Sequence, residues 1–145
     1  MSHRYWQQQR IQLPPKAQGF HLISDDIERQ LTRLAEFEVG LLHLQLLHTS
    51  ASLSLNENAD ADVRRDLHWF LQQQIGQFAD GFLHTCEGPD DMPAHVCASL
   101  LGTSLTIAIE DGRLALGTWQ GIYLGEHRLQ AGSRQIIATL HGEPR

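Results

Sequence analysis

The spacing of apolar residues changes several times along the chain, and each change predicts an element. Gln7 to Leu13 reads as an opening strand, closed by Pro14-Pro15, since proline has no N–H for a ladder and fixes its own φ. Ile27, Leu31 and Leu34 recur at helical spacing behind an Asp25/Glu28 capping box, which predicts a first helix running to about Phe37. From Val39 to Leu55 the period falls to two. Leu42, Leu44 and Leu46 lie on one parity and Ala51, Leu53 and Leu55 on the other, so the extended chain is interrupted near His48-Thr49-Ser50. Asn58 or Asp60 can cap a second helix ending near Gly76, with Val63, Leu67, Phe70 and Leu71 as its core-facing stripe. Gly81 to Asp91 reads as a loop. Asp91 then caps a short helix with Pro93 in its first turn, Val96, Leu100 and Leu101 as its buried side and Gly102 as its stop. Leu105 to Ile109 alternates as a strand, and Asp111-Gly112 is a strong hairpin signal. Strands follow at Leu114 to Thr118, Ile122 to Glu126 and Arg134 to Leu140, so the second half reads as a meander.

Strands and helices do not alternate regularly enough for a parallel sheet. The expected class is therefore α+β, a mainly antiparallel sheet with helices packed beside it. The 145 residues are expected to form a single domain, residues 1–145. A net charge of −6 with eleven Lys and Arg argues against nucleic acid as a partner. The first ten residues hold no apolar leader, and no stretch approaches the roughly 20 apolar residues that span a bilayer, so a cytoplasmic protein without a membrane partner is expected. Cys86 and Cys97 form no Cys-x-x-Cys pair, which makes a disulfide framework a poor reading.

Nine histidines give the composition its unusual feature, and polar chemistry collects in three places. His48, Ser50, Ser52, Ser54 and Asn56 would share one face of an extended segment that runs on into Glu57, Asn58 and Asp60. That face could line a polar cleft, or be a solvated strand edge before a capped helix. His84, Glu87, Asp90, Asp91 and His95 lie in and after one loop, and their imidazoles and carboxylates suit a divalent ion such as Zn. Capping by Asp91, with partly exposed histidines, is the plainer alternative. In Gly117-Thr118-Trp119-Gln120-Gly121 the glycines could admit an anion and Trp119 could offer a ring face, unless the segment is a bulged connection with a core tryptophan. Arg113 and Arg128 are nearby cations whose planar forks match phosphate, although lone arginines commonly serve only the surface.

Taken together, His48-Thr49-Ser50-Ala51-Ser52-Leu53, Asn56-Glu57-Asn58-Ala59-Asp60, Glu87-Gly88-Pro89-Asp90-Asp91-Met92-Pro93-Ala94-His95, Ala98-Ser99-Leu100-Leu101-Gly102, Gly117-Thr118-Trp119-Gln120-Gly121-Ile122 and Gly125-Glu126-His127-Arg128 resemble the YjbQ family over nearly the whole chain. The resemblance implies an α+β subunit assembling as a homotrimer, with a cleft near the subunit boundary and a secondary thiamine phosphate synthase activity. It also implies a divalent ion, Mg or Zn, held through His48, His84 and His95, with His48, Glu57 and His95 as acid–base candidates. Asn56, Asn58, Asp60, Thr118, Trp119 and Gln120 would orient a small phosphorylated substrate, and Arg113 and Arg128 would hold its phosphate. Cys97 stands where the family commonly has lysine, which removes a cation from that helix face. A metal-dependent hydrolase and a non-catalytic trimeric binding protein are the alternatives that the same residues serve.

Overall fold

Leu42, Leu44 and Leu46 point inward from the middle of the largest sheet, as their alternation requires. The computed structural model of the chain describes residues 5–145. Its strands are β1 (Tyr5–Leu13), β2 (Gly19–Leu22), β3 (Phe37–Leu46), β4 (Ala51–Glu57), β5 (Ser104–Glu110), β6 (Arg113–Leu114), β7 (Gln120–Glu126) and β8 (Arg134–Pro144). Its α-helices are α1 (Ser24–Gln30), α2 (Ala61–Gly76) and α3 (Asp91–Leu101). The strands form a five-stranded sheet ordered β1-β8-β3-β5-β6 and a three-stranded sheet ordered β2-β7-β4, with every pairing antiparallel. The expected α+β class with antiparallel sheets and helices is the observed one.

The inward faces of both sheets meet in one core, where Ile136, Ala138 and Leu140 of β8 and Ile107 and Ile109 of β5 join Ala51, Leu53, Ile122 and Leu124. Helix α1 adds Ile27 to that core. Strand β7 lies between β2 and β4, and Gly121 to Glu126 is buried throughout, which explains an apolar run without alternation. Ile122 and Leu124 face the core, whereas Tyr123 and His127 face the other way and pack against Phe20. Contacts of α3 with β4 and of α2 with β2 place both helices beside this small sheet.

Several local expectations need correction. Helix α1 ends at Gln30 and has no side-chain cap; Asp25 and Asp26 lie in its first turn, where negative charge is favoured, and Phe37 already opens β3. Asp60 does cap α2, accepting from the Asp62 N–H at 2.9 Å. The anticipated apolar stripe of that helix is only half-buried, with Phe70 exposed and Ile75 its one buried residue. Helix α3 buries Asp91, Ala94, Cys97 and Ala98 instead of Val96, Leu100 and Leu101, and Leu100 is 69% exposed. Small residues let that face approach β4 closely. Asp111 and Gly112 both have positive φ, as the two-residue hairpin between β5 and β6 requires. The strand expected from Leu114 to Thr118 stops at Leu114, because the Leu116 N–H turns back to the Leu114 carbonyl and the Gln120 N–H to that of Gly117. There is no meander beyond the hairpin: β7 and β8 lie in different sheets and pair with strands from the first half of the chain.

Candidate functional site

Asp91 and His95 are one helical turn apart at the start of α3, and the preceding loop folds His84 back onto them. His84 Nε2 lies 2.7 Å and His95 Nε2 3.0 Å from the same oxygen, Asp91 Oδ2. One donor atom from each residue falls within 4.8 Å of the others, and no other group of three or more His, Cys, Asp or Glu among the described residues is so placed. Asp91 is nearly sealed, at 4% side-chain exposure, whereas the two imidazoles open to solvent. The hydrogen bond from His84, followed by the electrostatic influence of His95 and of the Arg128 guanidinium, holds the Asp91 carboxyl below its ordinary range against the opposing effect of burial.

Arg128 fixes the acidic side of this arrangement. Its Nε donates to Asp90 Oδ2 at 2.8 Å, its Nη1 donates to Asp91 Oδ1 and its Nη2 reaches the Glu87 carbonyl at 3.1 Å. One guanidinium therefore orients both carboxylates and closes the loop. On the far side, His95 Nδ1 lies 2.8 Å from the Thr49 carbonyl. A carbonyl only accepts, so Nδ1 carries a proton. In the neutral ring Nε2 would then aim a lone pair at a carboxylate oxygen that also only accepts. A positive charge between or upon these atoms resolves the conflict, supplied either by a second proton on His95 or by a cation. Two imidazole nitrogens and a carboxylate oxygen, backed by a carbonyl and an arginine, make a donor set that fits a Zn-class ion.

The structure separates the remaining sequence candidates into two ends of the small sheet. His48 lines an open cleft of about 610 Å³ with Thr49, His95, Ser99 and Thr103. Its Nε2 accepts from the Gln135 N–H at 2.8 Å, and burial, with Arg134 adding to it, lowers its pKa, which suits the neutral acceptor form. His48 thus neighbours the centre without joining its donor triad. Asn56, Glu57, Asn58, Asp60, Thr118, Trp119 and Gln120 collect at the opposite end of β4, a seven-residue strand and so roughly 20 Å away. There Glu57 accepts from the Ala59 and Asp60 N–H groups, and Asn58 donates to the Thr118 and Gln120 carbonyls. Trp119 is exposed. Arg113 lies exposed on β6, in the larger sheet.

Asp91, grouped in the sequence with the metal-suited side chains of its loop and also expected to cap α3, lies in the first turn of that helix, which has no side-chain cap hydrogen bond, and is instead the central residue of the cluster. Its i, i+4 relation to His95 was the signal available. Sequence reasoning also missed a buried network beside the centre: Arg134 donates to both carboxylate oxygens of Glu126 at 2.8 and 2.6 Å and to Ser50 Oγ at 3.0 Å. Next to it, Ser52 Oγ and His127 Nε2 lie 2.8 Å apart, in space that exists because β7 has Gly125 opposite Ser52; a Cβ there would overlap both atoms. Cys97 is buried, and burial pushes its thiol up to about 11.

Residues 9–143 match the family model described as UPF0047 protein YjbQ-like. The chain is 51% identical over 138 residues to the UPF0047 protein YjbQ of Escherichia coli O157:H7, covering 95% of this chain and 99% of that one. To the Salmonella typhimurium protein of the same name it is 54% identical over 138 residues, with the same coverage. Among solved structures, a YjbQ/UPF0047 family protein of Clostridium acetobutylicum superposes with a TM-score of 0.74 at 32% identity, covering 88% of this chain and 96% of that one. A YbjQ-like protein of unknown function from Sulfolobus solfataricus P2 shares the fold at a TM-score of 0.83 and 22% identity, covering 97% of this chain and 100% of that one. Sequence and fold together place the chain in the YjbQ-like UPF0047 family.

Proposed function

We propose that the His84–Asp91–His95 centre holds a divalent cation and that the protein is a metal-dependent enzyme acting on a small phosphorylated substrate, with thiamine phosphate synthesis as its reaction. The observation that supports this is the arrangement around Asp91 Oδ2, where two imidazole nitrogens converge on one buried carboxylate oxygen and His95 is already oriented through Thr49. Two nitrogen donors favour zinc over magnesium, which prefers oxygen ligands and retained waters. Three protein donors rather than four favour a site with a position left for water or substrate over a closed structural one. When bound, the ion would neutralise the diphosphate of a pyrimidine methyl diphosphate as the thiazole nitrogen forms its bond to the methylene carbon and the carbon–oxygen bond to pyrophosphate breaks.

The protein's own residues have distinct parts in this reading. Arg128 acts on Asp90, Asp91 and the Glu87 carbonyl, so its role is to hold the donor set rather than to reach phosphate. Thr49, Ser99 and Thr103 would meet the substrate in the open cleft, with His48 as the neutral imidazole beside it. The Asn56–Asp60 and Thr118–Gln120 groups lie too far from the centre within one chain to share its substrate. A homotrimer would bring them to a neighbour's centre, and the exposed Trp119 is suited to that boundary. Such a trimer would work in the cytoplasm; among the described residues no helix is long and apolar enough to cross a membrane. The open coordination position also favours a second reading, hydrolysis of a phosphorylated metabolite by bound water, with the exposed Glu87 as base.

Metal analysis of purified protein, joined to an assay of thiamine phosphate formation before and after chelation and zinc restoration, tests both readings. Zinc near one equivalent per chain, product formation that depends on it, and loss of both in His84→Ala and His95→Ala are expected. Phosphate release without condensation product would move the assignment to the hydrolase. Unchanged turnover in the histidine variants would sink the centre.

A further inference from the structure

We propose that a second site, a cavity of about 320 Å³ between α2 and α3, binds a small, uncharged, planar heterocycle that carries both a hydrogen-bond donor and an acceptor. The volume lies at the small end of ligand pockets and suits one or two fused rings. Leu71 and Ile75 of α2, Pro93 and Cys97 of α3 and Leu129 provide apolar walls. The cavity also accounts for the weak burial of α2: Leu71, expected in the core, lines this space instead.

The polar groups of the lining are few, and they select against charge. His127 is held through Nε2 by Ser52 Oγ, and its Nδ1 has no hydrogen-bond partner among the described residues. A serine hydroxyl can donate or accept, so His127 can take either tautomer and present Nδ1 as acceptor or donor. Gln18 uses its Nε2 on the His127 carbonyl, at 3.0 Å, which leaves its Oε1 as an acceptor. Burial, with His68 and Arg134 adding to it, lowers the His127 pKa to about 4, and burial lowers that of His68, so neither imidazole supplies a cation at neutral pH. Asp90 also borders the cavity, but its Oδ2 already accepts from Arg128 and from the Leu129 N–H. Neither Lys nor Arg lines the space. An anion would meet no counter-charge there, and a cation would have to compete with Arg128 for Asp90. The buried Cys97 side chain is part of the apolar wall.

The proposal stands apart from the metal centre, which occupies the Asp91–His95 side of α3 while the cavity takes the Pro93–Cys97 side. Its test is a titration of the full-length protein with indazole, a neutral two-ring heterocycle with one N–H and one acceptor nitrogen. Binding is followed by calorimetry and by the ring nitrogen resonances of the histidines. Saturable binding of one indazole per chain is expected, with the His127 and His68 resonances moving together. Leu71→Trp, which fills the space, should weaken binding at least tenfold; Ala79→Phe, at the exposed rim, does the same without touching the core and guards against a misfolded Leu71 variant. His84→Ala should bind indazole as the parent does, even if it has lost its metal. Absence of saturable binding would overturn the proposal, as would binding unaffected by both cavity variants. Benzoate or inorganic phosphate competing as strongly as indazole would overturn the assignment to uncharged ligands.

Discussion

Two neighbouring clusters in this protein use the same side-chain chemistry to opposite ends. Around Asp91, a carboxylate, an arginine and two histidines gather at an open cleft; around Glu126, a carboxylate, an arginine and a histidine gather inside the protein. In the inner cluster Glu126 accepts two hydrogen bonds from Arg134 and one from the Arg128 N–H, and Ser52 matches His127. Apart from His127 Nδ1, every hydrogen-bonding group named there has a complementary partner. In the outer cluster two rings turn toward one acceptor oxygen, and the proton that Thr49 draws to His95 Nδ1 leaves the other nitrogen in conflict with Asp91. A satisfied network holds strands together, whereas one that lacks a positive charge is a place for a ligand. The types of residue do not distinguish the two clusters; the balance of donors and acceptors does.

That distinction can be broken by mutation, and the largest effect belongs to the inner cluster. Glu126→Gln leaves Arg134 buried without its counter-charge and should cost about 3–5 kcal/mol in urea unfolding, while metal content in the folded fraction stays near the parent's. A cost below about 1 kcal/mol would make the network no more than an ordinary surface pair. The next effect is on pH. His127 has a folded pKa of about 4 against an ordinary 6.5, so the unfolded chain takes up its proton first as pH falls. Its contribution is complete above about pH 6.5 and declines toward pH 4, a loss of about 3 kcal/mol in all. Asp91 has the opposite charge type and a depressed pKa, so its contribution is lost only below its ordinary 3.8. Stability measured against pH should therefore show the inner cluster failing before the outer one, and His127→Gln should remove the higher window alone. The smallest effect concerns Arg128, which touches the donors without being one. Arg128→Met should weaken zinc binding about 10- to 100-fold in a chelator competition, short of the loss expected for His95→Ala. Equal losses in the two variants would mean that the donor set does not assemble at all without Arg128.

The alternation in β3, the Asp111-Gly112 hairpin and the Asp60 cap could be read from the sequence because each depends on residues a few positions apart. The division into two sheets could not. β8 pairs with β1 from the far end of the chain and β7 with β2 and β4, and no local period records a partner more than sixty residues distant. The buried side of α3 was misread because Ala94, Cys97 and Ala98 are small, and their burial follows from close approach to β4 rather than from hydrophobicity. At the site, His84, Asp91 and His95 stood out as residue types in one loop, but the sequence did not show which of the loop's three carboxylates the two rings would share. His48, grouped with them in the sequence, spends Nε2 on the Gln135 backbone. The polar residues of the 56–60 and 117–120 segments, which the sequence shows as two separate groups, meet at the other end of the strand from the histidines.

The position of β8 has a consequence for how the protein is made. This strand, residues 134–144, separates β1 from β3, and Tyr5 pairs with Gly142. While a ribosome is still adding residues up to about 133, β1 has no neighbour to join and β3 exposes one of its two edges. The larger sheet can therefore close only after synthesis has passed its last strand, and until then Ile11, Leu13, Leu42 and Leu44 lack the Ile136, Ala138 and Leu140 that cover them. Folding of this chain is accordingly a late, long-range event, and nascent chains halted before Arg134 should be captured by chaperones that bind exposed apolar strands.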